Sequence, residues 1–268
     1  MTSIEAVILS IVEGITEFLP ISSTAHMVFT SSAMGIEKDA FTKLFEESIQ
    51  VGAIFSVVLL YWRSFFDFKK INFYYKLVVA FIPAAIIGVL FKKHIEELLG
   101  NPMFIAIIIF LGGILLVFID KFFKKSEIDD LENVSYKKSF TIGVFQILAI
   151  ILPGFSRSAA TIIGGLQQKL TRKLAAEFSF FLAVPTLAGA FVKSIWDAYK
   201  HNPELLTKHN IQMLAMGNII AFIVAIIAIK FFIAILIKYG FKFFGYYRII
   251  LGLTIIILLS MGINLRII

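Results

Sequence analysis

The residues of this chain that could do chemistry crowd into two short stretches. The first, EGITEFLPISSTAH at 13–26, holds Glu13, Glu17, Ser22, Ser23, Thr24 and His26. Glu13 and Glu17 are i, i+4 neighbours, which on a helix puts their Cβ atoms about 5–6 Å apart on one face. Two carboxylates that close, away from bulk water, need a cation, a basic partner or a shared proton. Ser23 offers a hydroxyl nucleophile, and His26, three residues on, can face the same cavity as an acid or base. Ser22, Ser23 and Thr24 follow Pro20 and can cap a helix, whose free N–H groups also make an anion site. Each feature has a plainer reading: acids at a solvated helix end, serines that only cap, a histidine satisfied by a core hydrogen bond. The apolar flanks, Ala6-Val7-Ile8-Leu9 and Met27-Val28-Phe29, argue against the solvated reading for the acids.

The second stretch is PGFSRSAAT at 153–161. Gly154 permits a tight bend, and Ser156 and Ser158 can cap the helix beyond it. Arg157 stands among apolar residues, where a charge is expensive. Its planar fork suits a phosphate or a carboxylate. It can bind a substrate, or pair with Glu13 or Glu17, and without substrate the two readings are compatible. Glu46, Glu47 and Glu177 read as acids at helix starts, and Glu46, next to Phe45, is also a candidate to line a cavity. Two helix N-termini, an arginine, a serine, a histidine and two acids together make an anion site with a nucleophile and a base. Phosphoryl transfer asks for positioning, charge stabilisation and an activated nucleophile, and little else.

The elements that must position these groups are membrane helices. Hydrophobic residues make up 59% of the chain and charged residues 16%, well short of the roughly 25% charged typical of soluble domains. No interval is polar enough for a soluble domain, so residues 1–268 read as one integral membrane domain. Cysteine is absent, which removes disulfides, thiol nucleophiles and thiolate metal sites. The net charge of +7 is explained by basic cytoplasmic loops rather than by nucleic acid. No basic residue precedes Lys38, so the N-terminal stretch does not read as a signal peptide.

Apolar segments fall at about residues 4–19, 23–34, 48–62, 77–91, 103–119, 140–152, 156–166, 178–196, 211–237 and 248–261. A span needs about 20 apolar residues. The first pair breaks at Pro20 and the second short pair at Pro153-Gly154, so each pair reads as a re-entrant hairpin and the other six segments as spans. The hairpins also mark a duplication. EGITEFLPISSTAH is followed by FEESIQVGA, and FQILAIILPGFSRSAAT by AEFSFFLAVP at a similar distance. The repeats cover about 1–119 and 138–268, around a loop at about 120–138. Three intervening spans make the repeat inverted, as in many transporters.

Loop charges orient it. One side collects Lys38, Lys43, Lys92, Lys93, Lys200, Lys208 and Arg266. The other collects Arg63, Lys69, Lys70, Lys76, the basic residues from Lys121 to Lys138, Lys169, Arg172, Lys173, Lys238, Lys242 and Arg248. The second side is the basic one, hence cytoplasmic. The first hairpin then opens outward, and the two turns can meet within the bilayer.

EGITEFLPISSTAHM and PGFSRSAAT resemble the two signature motifs of the bacterial undecaprenyl-diphosphate phosphatases, the bacitracin-resistance protein family. The likeness extends over nearly the whole chain. It implies a bacterial inner-membrane hydrolase that removes the terminal phosphate of undecaprenyl diphosphate, recycling the carrier for peptidoglycan synthesis. Carried over by residue, Glu13 and Glu17 match the acidic pair, Ser23 the proposed nucleophile, His26 the proposed acid/base and Arg157 the phosphate-binding arginine. Ala25 and Ala159 stand where many members have glycine, which leaves open how tightly the backbone bends there. The family is described as divalent-cation dependent. Glu13 and Glu17 could hold Mg²⁺ with substrate phosphates, or pair with Arg157 without a metal.

The expectation is therefore an all-α polytopic membrane phosphatase with Glu13, Glu17, Ser23 and His26 catalytic and Arg157, Ser22, Thr24, Ser156 and Ser158 binding substrate. The expected partners are the polyprenyl diphosphate lipid and the bilayer, with a second copy of the chain a further candidate. A transporter or flippase of an anionic polyprenyl lipid is the competing reading, since inverted repeats with broken helices serve transport. The Ser23/His26 pair discriminates, because transport needs neither nucleophile nor base. A purely structural scaffold does not account for the cost of the buried ionisable cluster.

Overall fold

The computed structural model describes residues 1–91, 97–123 and 126–262. Lys92, Lys93, Lys124, Lys125 and Arg266, which bear on the assignment of sides, lie outside the described residues. Within them the chain is helical and without strands; its β-type pairing is a single bridge between Ile128 and Leu170.

The helices are α1 (Ser3–Thr16), α2 (Ser23–Ala33), α3 (Ala40–Leu60), α4 (Trp62–Phe65), α5 (Ile71–Leu90), α6 (Pro102–Phe122), α7 (Tyr136–Ile151), α8 (Arg157–Gln167), α9 (Arg172–His201), α10 (Lys208–Tyr239) and α11 (Lys242–Ser260). Five of them, α5, α6, α9, α10 and α11, are long and apolar enough to cross a membrane. The protein is an all-α polytopic membrane protein. The sixth expected span is α3. Its 21 residues match α6 in length, but Lys43, Glu46 and Glu47 make its first turns polar. Those acids do not start the helix, as the sequence suggests. Asp39 caps α3, accepting from the Thr42 N–H, and Thr171 caps α9, so Glu46, Glu47 and Glu177 sit beyond the first turn.

The helices around the two prolyl turns are short. With 14 residues in α1, 11 in α2, 16 in α7 and 11 in α8, they are about 17–24 Å long at 1.5 Å per residue. None reaches across a hydrocarbon core of about 30 Å. Each pair makes a helix–turn–helix with the chemistry-bearing residues at its bend.

Packing crosses between the halves. The α1 helix lies on α10, with Gly14 against the Ala221 carbonyl and Val224; α7 lies on α5, where a Cβ on Gly143 would collide with the Ala80 carbonyl. Each hairpin is thus backed by a long helix of the other half. The α6–α11 and α3–α9 pairs close the centre. An edge-to-face aromatic chain runs beneath the turns. Phe18 meets Phe180 at 5.3 Å between centroids, Phe180 meets Phe232 at 5.8 Å, and Phe232 meets Phe244 at 5.1 Å. It joins the first turn to α9, α10 and α11. The outward stripe Ile219, Ile223, Ile227 and Phe231 on α10 is exposed, which suits contact with lipid tails rather than water.

Candidate active site

The two turns share one unusual backbone feature. Ser22 (φ 73°) and Ser156 (φ 80°) both adopt left-handed backbone, which costs a non-glycine residue about 1–3 kcal/mol. Each is an N-cap. The Ser22 hydroxyl accepts from the Ala25 N–H at 3.4 Å, and the Ser156 hydroxyl from the Ala159 N–H at 3.2 Å. The bend is taken by the serines. Ala25 and Ala159 follow inside the helices, buried, so alanine suits both positions.

Directly after each cap comes a reactive side chain: Ser23 after Ser22, Arg157 after Ser156. Both reach Glu17, the C-cap of α1. The Ser23 hydroxyl donates to Glu17 Oε2 through a short hydrogen bond. Arg157 Nη2 donates to Glu17 Oε1 at 2.9 Å. Arg157 Nη1 is held by the Ser179 carbonyl at 3.0 Å, while its buried Nε has no hydrogen-bond partner among the described residues. Glu17 is thus a carboxylate with a hydroxyl on one oxygen and a guanidinium on the other, and Arg157 keeps one donor in reserve.

Glu13, one turn earlier, is fully buried; its carboxyl meets that of Glu17, and no donor among the described residues reaches either of its oxygens. Such an arrangement is costly unless a ligand or proton completes it. Thr24 is exposed and lines a cavity of about 640 Å³ together with Ser31, Lys38, Lys43, Glu46 and Gln50. Glu46 lies on this cavity with Oε1 buried and without a hydrogen-bond partner among the described residues. Ser158 serves as a tie between the turns, its hydroxyl donating to the Phe18 carbonyl at 2.8 Å.

His26 is turned away from Ser23. Its Nδ1 lies 2.7 Å from the Ser22 carbonyl and its Nε2 lies 2.7 Å from the Tyr247 hydroxyl. A carbonyl only accepts, so Nδ1 carries a proton. The group beside the Ser23 hydroxyl is Glu17.

Arg248 requires a correction. Its position in the sequence groups it with the cytoplasmic loop charges. It is instead fully buried, one of the largest side chains with no exposure. Nη1 donates to the Pro20 carbonyl at 3.1 Å and the Phe155 carbonyl at 2.8 Å; Nη2 reaches the Gly154 carbonyl at 2.9 Å and Nε the Ile109 carbonyl at 3.2 Å. Among the described residues no carboxylate pairs with it. Backbone dipoles of both turns do the work of a counter-ion. The physical reason for the difference is the helix boundary. Starting the apolar segment at 248 leaves the arginine at its edge, whereas α11 begins at Lys242 and carries residue 248 inward. The visible signal was an arginine between Tyr246-Tyr247 and Ile249-Ile250. Tyr247 and Ser179, which touch His26 and Arg157, gave no signal of their own.

The model of the family described as bacitracin resistance protein BacA matches residues 6–254. The chain is similar to the undecaprenyl-diphosphatase of Porphyromonas gingivalis, 47% identical with all of both chains covered. It is similar to that of Flavobacterium psychrophilum, 52% identical over 96% of each chain. It is similar also to that of Bdellovibrio bacteriovorus, 50% identical over 99% of each chain. With matches of this extent, on top of two hairpins whose turns present Ser23 and Arg157 to one carboxylate, the chain belongs to the bacitracin resistance protein BacA family.

Proposed function

We propose that this protein is a membrane-embedded undecaprenyl-diphosphatase that releases inorganic phosphate from undecaprenyl diphosphate and returns the monophosphate carrier to peptidoglycan synthesis. The observation that carries the mechanism is Glu17 held between Ser23 and Arg157. The Ser23 hydroxyl attacks the terminal phosphorus, or orients the water that does, and Glu17 takes the proton. In the covalent form a serine–phosphorus bond forms as the bond to the bridging oxygen breaks. Polyprenyl phosphate leaves, and water then hydrolyses the phosphoserine.

Once Glu17 is protonated its hold on Arg157 weakens. The guanidinium, with Nε already unpartnered, turns its donors to the phosphoryl oxygens where charge develops. The Ala25 and Ala159 N–H groups are taken by the serine caps, and the other first-turn N–H groups of α2 and α8, which have no intrahelical acceptor, can donate to the same charge. His26, with Nδ1 donating to the Ser22 carbonyl and Nε2 on the Tyr247 hydroxyl, bears on the reaction through Ser22 rather than by carrying the proton. A pure transporter has no use for a serine hydroxyl donating into a buried carboxylate.

A divalent cation fits Glu13 and not a protein cage. Among the described residues no group of three or more His, Asp or Glu could hold a metal. Glu13, with no donor among the described residues on either oxygen, could share a hard cation with Glu17 and substrate phosphate oxygens, as Mg²⁺ commonly does. Bound there, it would neutralise charge on the phosphates.

The basic-loop asymmetry survives the loss of Arg248 and supports a first hairpin that opens on the outer face of the bacterial inner membrane. The function is tested by phosphate release from a polyprenyl diphosphate in detergent. Wild type should turn over and Ser23→Ala should not; equal turnover by both would remove Ser23 from the reaction.

A further inference from the structure

Tyr247 lies on α11, outside both signature stretches, yet it is the residue that meets the imidazole of His26. The two rings lie nearly parallel, at 7°, with centroids 5.7 Å apart. The tyrosine hydroxyl stands 2.7 Å from Nε2. On the other side of the ring, Nδ1 lies 2.7 Å from the Ser22 carbonyl. A neutral imidazole has one N–H and one lone pair. Since the Ser22 carbonyl requires the N–H, the lone pair falls to Nε2, and the phenolic O–H is the donor that satisfies it. Hydroxyl and carbonyl together select one tautomer and one ring orientation, as partners of functional histidines commonly do.

This matters because of what the other end holds. Ser22 is one of the two serines in left-handed backbone, and Ser23 comes directly after it. A histidine locked at Nε2 keeps its Nδ1 proton on the Ser22 carbonyl, and so steadies the strained residue from which the Ser23 hydroxyl is aimed at Glu17. The next residue, Arg248, pins the carbonyls of Pro20 and Phe155. Consecutive residues of α11 therefore fasten the histidine and the backbone of both turns.

We infer that Tyr247 is a positioning residue of the reaction: by donating to His26 Nε2 it fixes the tautomer and ring plane that hold Ser22, and with it the aim of Ser23. Tyr247 does not touch Ser23, Glu17 or Arg157 and acts through His26. The inference rests on the reading of Ser23 as the group at the phosphorus.

The test is Tyr247→Phe, which keeps the stacked ring and removes only the hydroxyl. In detergent, kcat on a polyprenyl diphosphate should fall about 10-fold or more, with KM within about twofold of wild type. Tyr246→Phe, one position away and exposed, should behave as wild type. A double-mutant cycle separates positioning from packing. In a His26→Asn background, Tyr247→Phe should have no further effect, because its route to the reaction is gone. Full additivity, or a Tyr247→Phe enzyme with wild-type kcat, overturns the inference. So does a His26→Asn enzyme with wild-type activity. A readout free of activity is the nitrogen spectrum of ¹⁵N-histidine protein. His26 should show an Nδ1–H tautomer with Nε2 hydrogen-bonded, and Tyr247→Phe should lose that Nε2 signature. An unchanged spectrum overturns the inference too. If instead wild type releases no phosphate, the function has failed, while the spectrum still decides the tyrosine.

Discussion

Ser23 and Arg157 occupy the same place in the two hairpins, each one residue past a serine in left-handed backbone, and both donate to the carboxylate of Glu17. One half contributes the hydroxyl, the other the cation, and a single acid couples them. Any change at one is therefore felt at the other.

Arg157→Lys should lose most activity although charge is kept. The guanidinium spans the Ser179 carbonyl and Glu17 and still has Nε free; a lysine offers one point of attachment. We expect a loss of about 100-fold or more in kcat/KM, the range for removing a transition-state donor. Near-normal turnover by the lysine enzyme would show that a loose positive field is enough.

Glu17→Gln and Glu13→Gln should fail differently. Glu17 accepts the Ser23 hydrogen bond, so its amide should depress kcat by about 10²–10⁴-fold. Glu13 touches neither Ser23 nor Arg157 and should instead alter KM or the response to divalent cation. Kinetics of both variants across a magnesium titration decide this, and superimposable defects at every concentration would undo the split.

Arg248→Met should destabilise the protein as well as silence it. The substitution roughly keeps volume but strips the donors from the carbonyls of Pro20, Gly154 and Phe155. Leaving buried carbonyls unpaired should cost at least about 3 kcal/mol, read as a lowered midpoint of thermal unfolding in detergent. A methionine enzyme as stable and active as wild type would mean the turns hold themselves.

Orientation is open to a labelling experiment, because the chain has no cysteine. A cysteine at Asn101 should react with an impermeant thiol reagent on intact cells, and one at Asp129 only after lysis. Both positions are exposed. The opposite pattern would place the mouth of the site on the cytoplasmic side.

Much of this site was legible in the sequence because its chemistry is local. Glu17 and Ser23 sit six residues apart around a proline, and a polar run inside an apolar segment is conspicuous. The short hairpins were legible for the same reason: their breakers, Pro20 and Pro153-Gly154, are strong local signals. Other features depended on tertiary approach. Arg248 reaches Pro20 across 228 positions, and Tyr247 reaches His26 across 221; no periodicity reports such meetings. The turn of His26 toward α11 was equally hidden. Spacing on a helix puts Ser23 and His26 near one another, but only the partner across the interface decides which way the imidazole points.

The clasp of Arg248 on both turns also sets a constraint on biogenesis. Its donors arrive 94 positions after Gly154 and 228 after Pro20, so each turn is made well before the residue that joins them. A ribosome-bound intermediate carrying Glu17, Ser23 and Arg157 would still lack the closing guanidinium. A product truncated before residue 248 should then lack the clasp that joins the two turns, and should release less phosphate than the full chain.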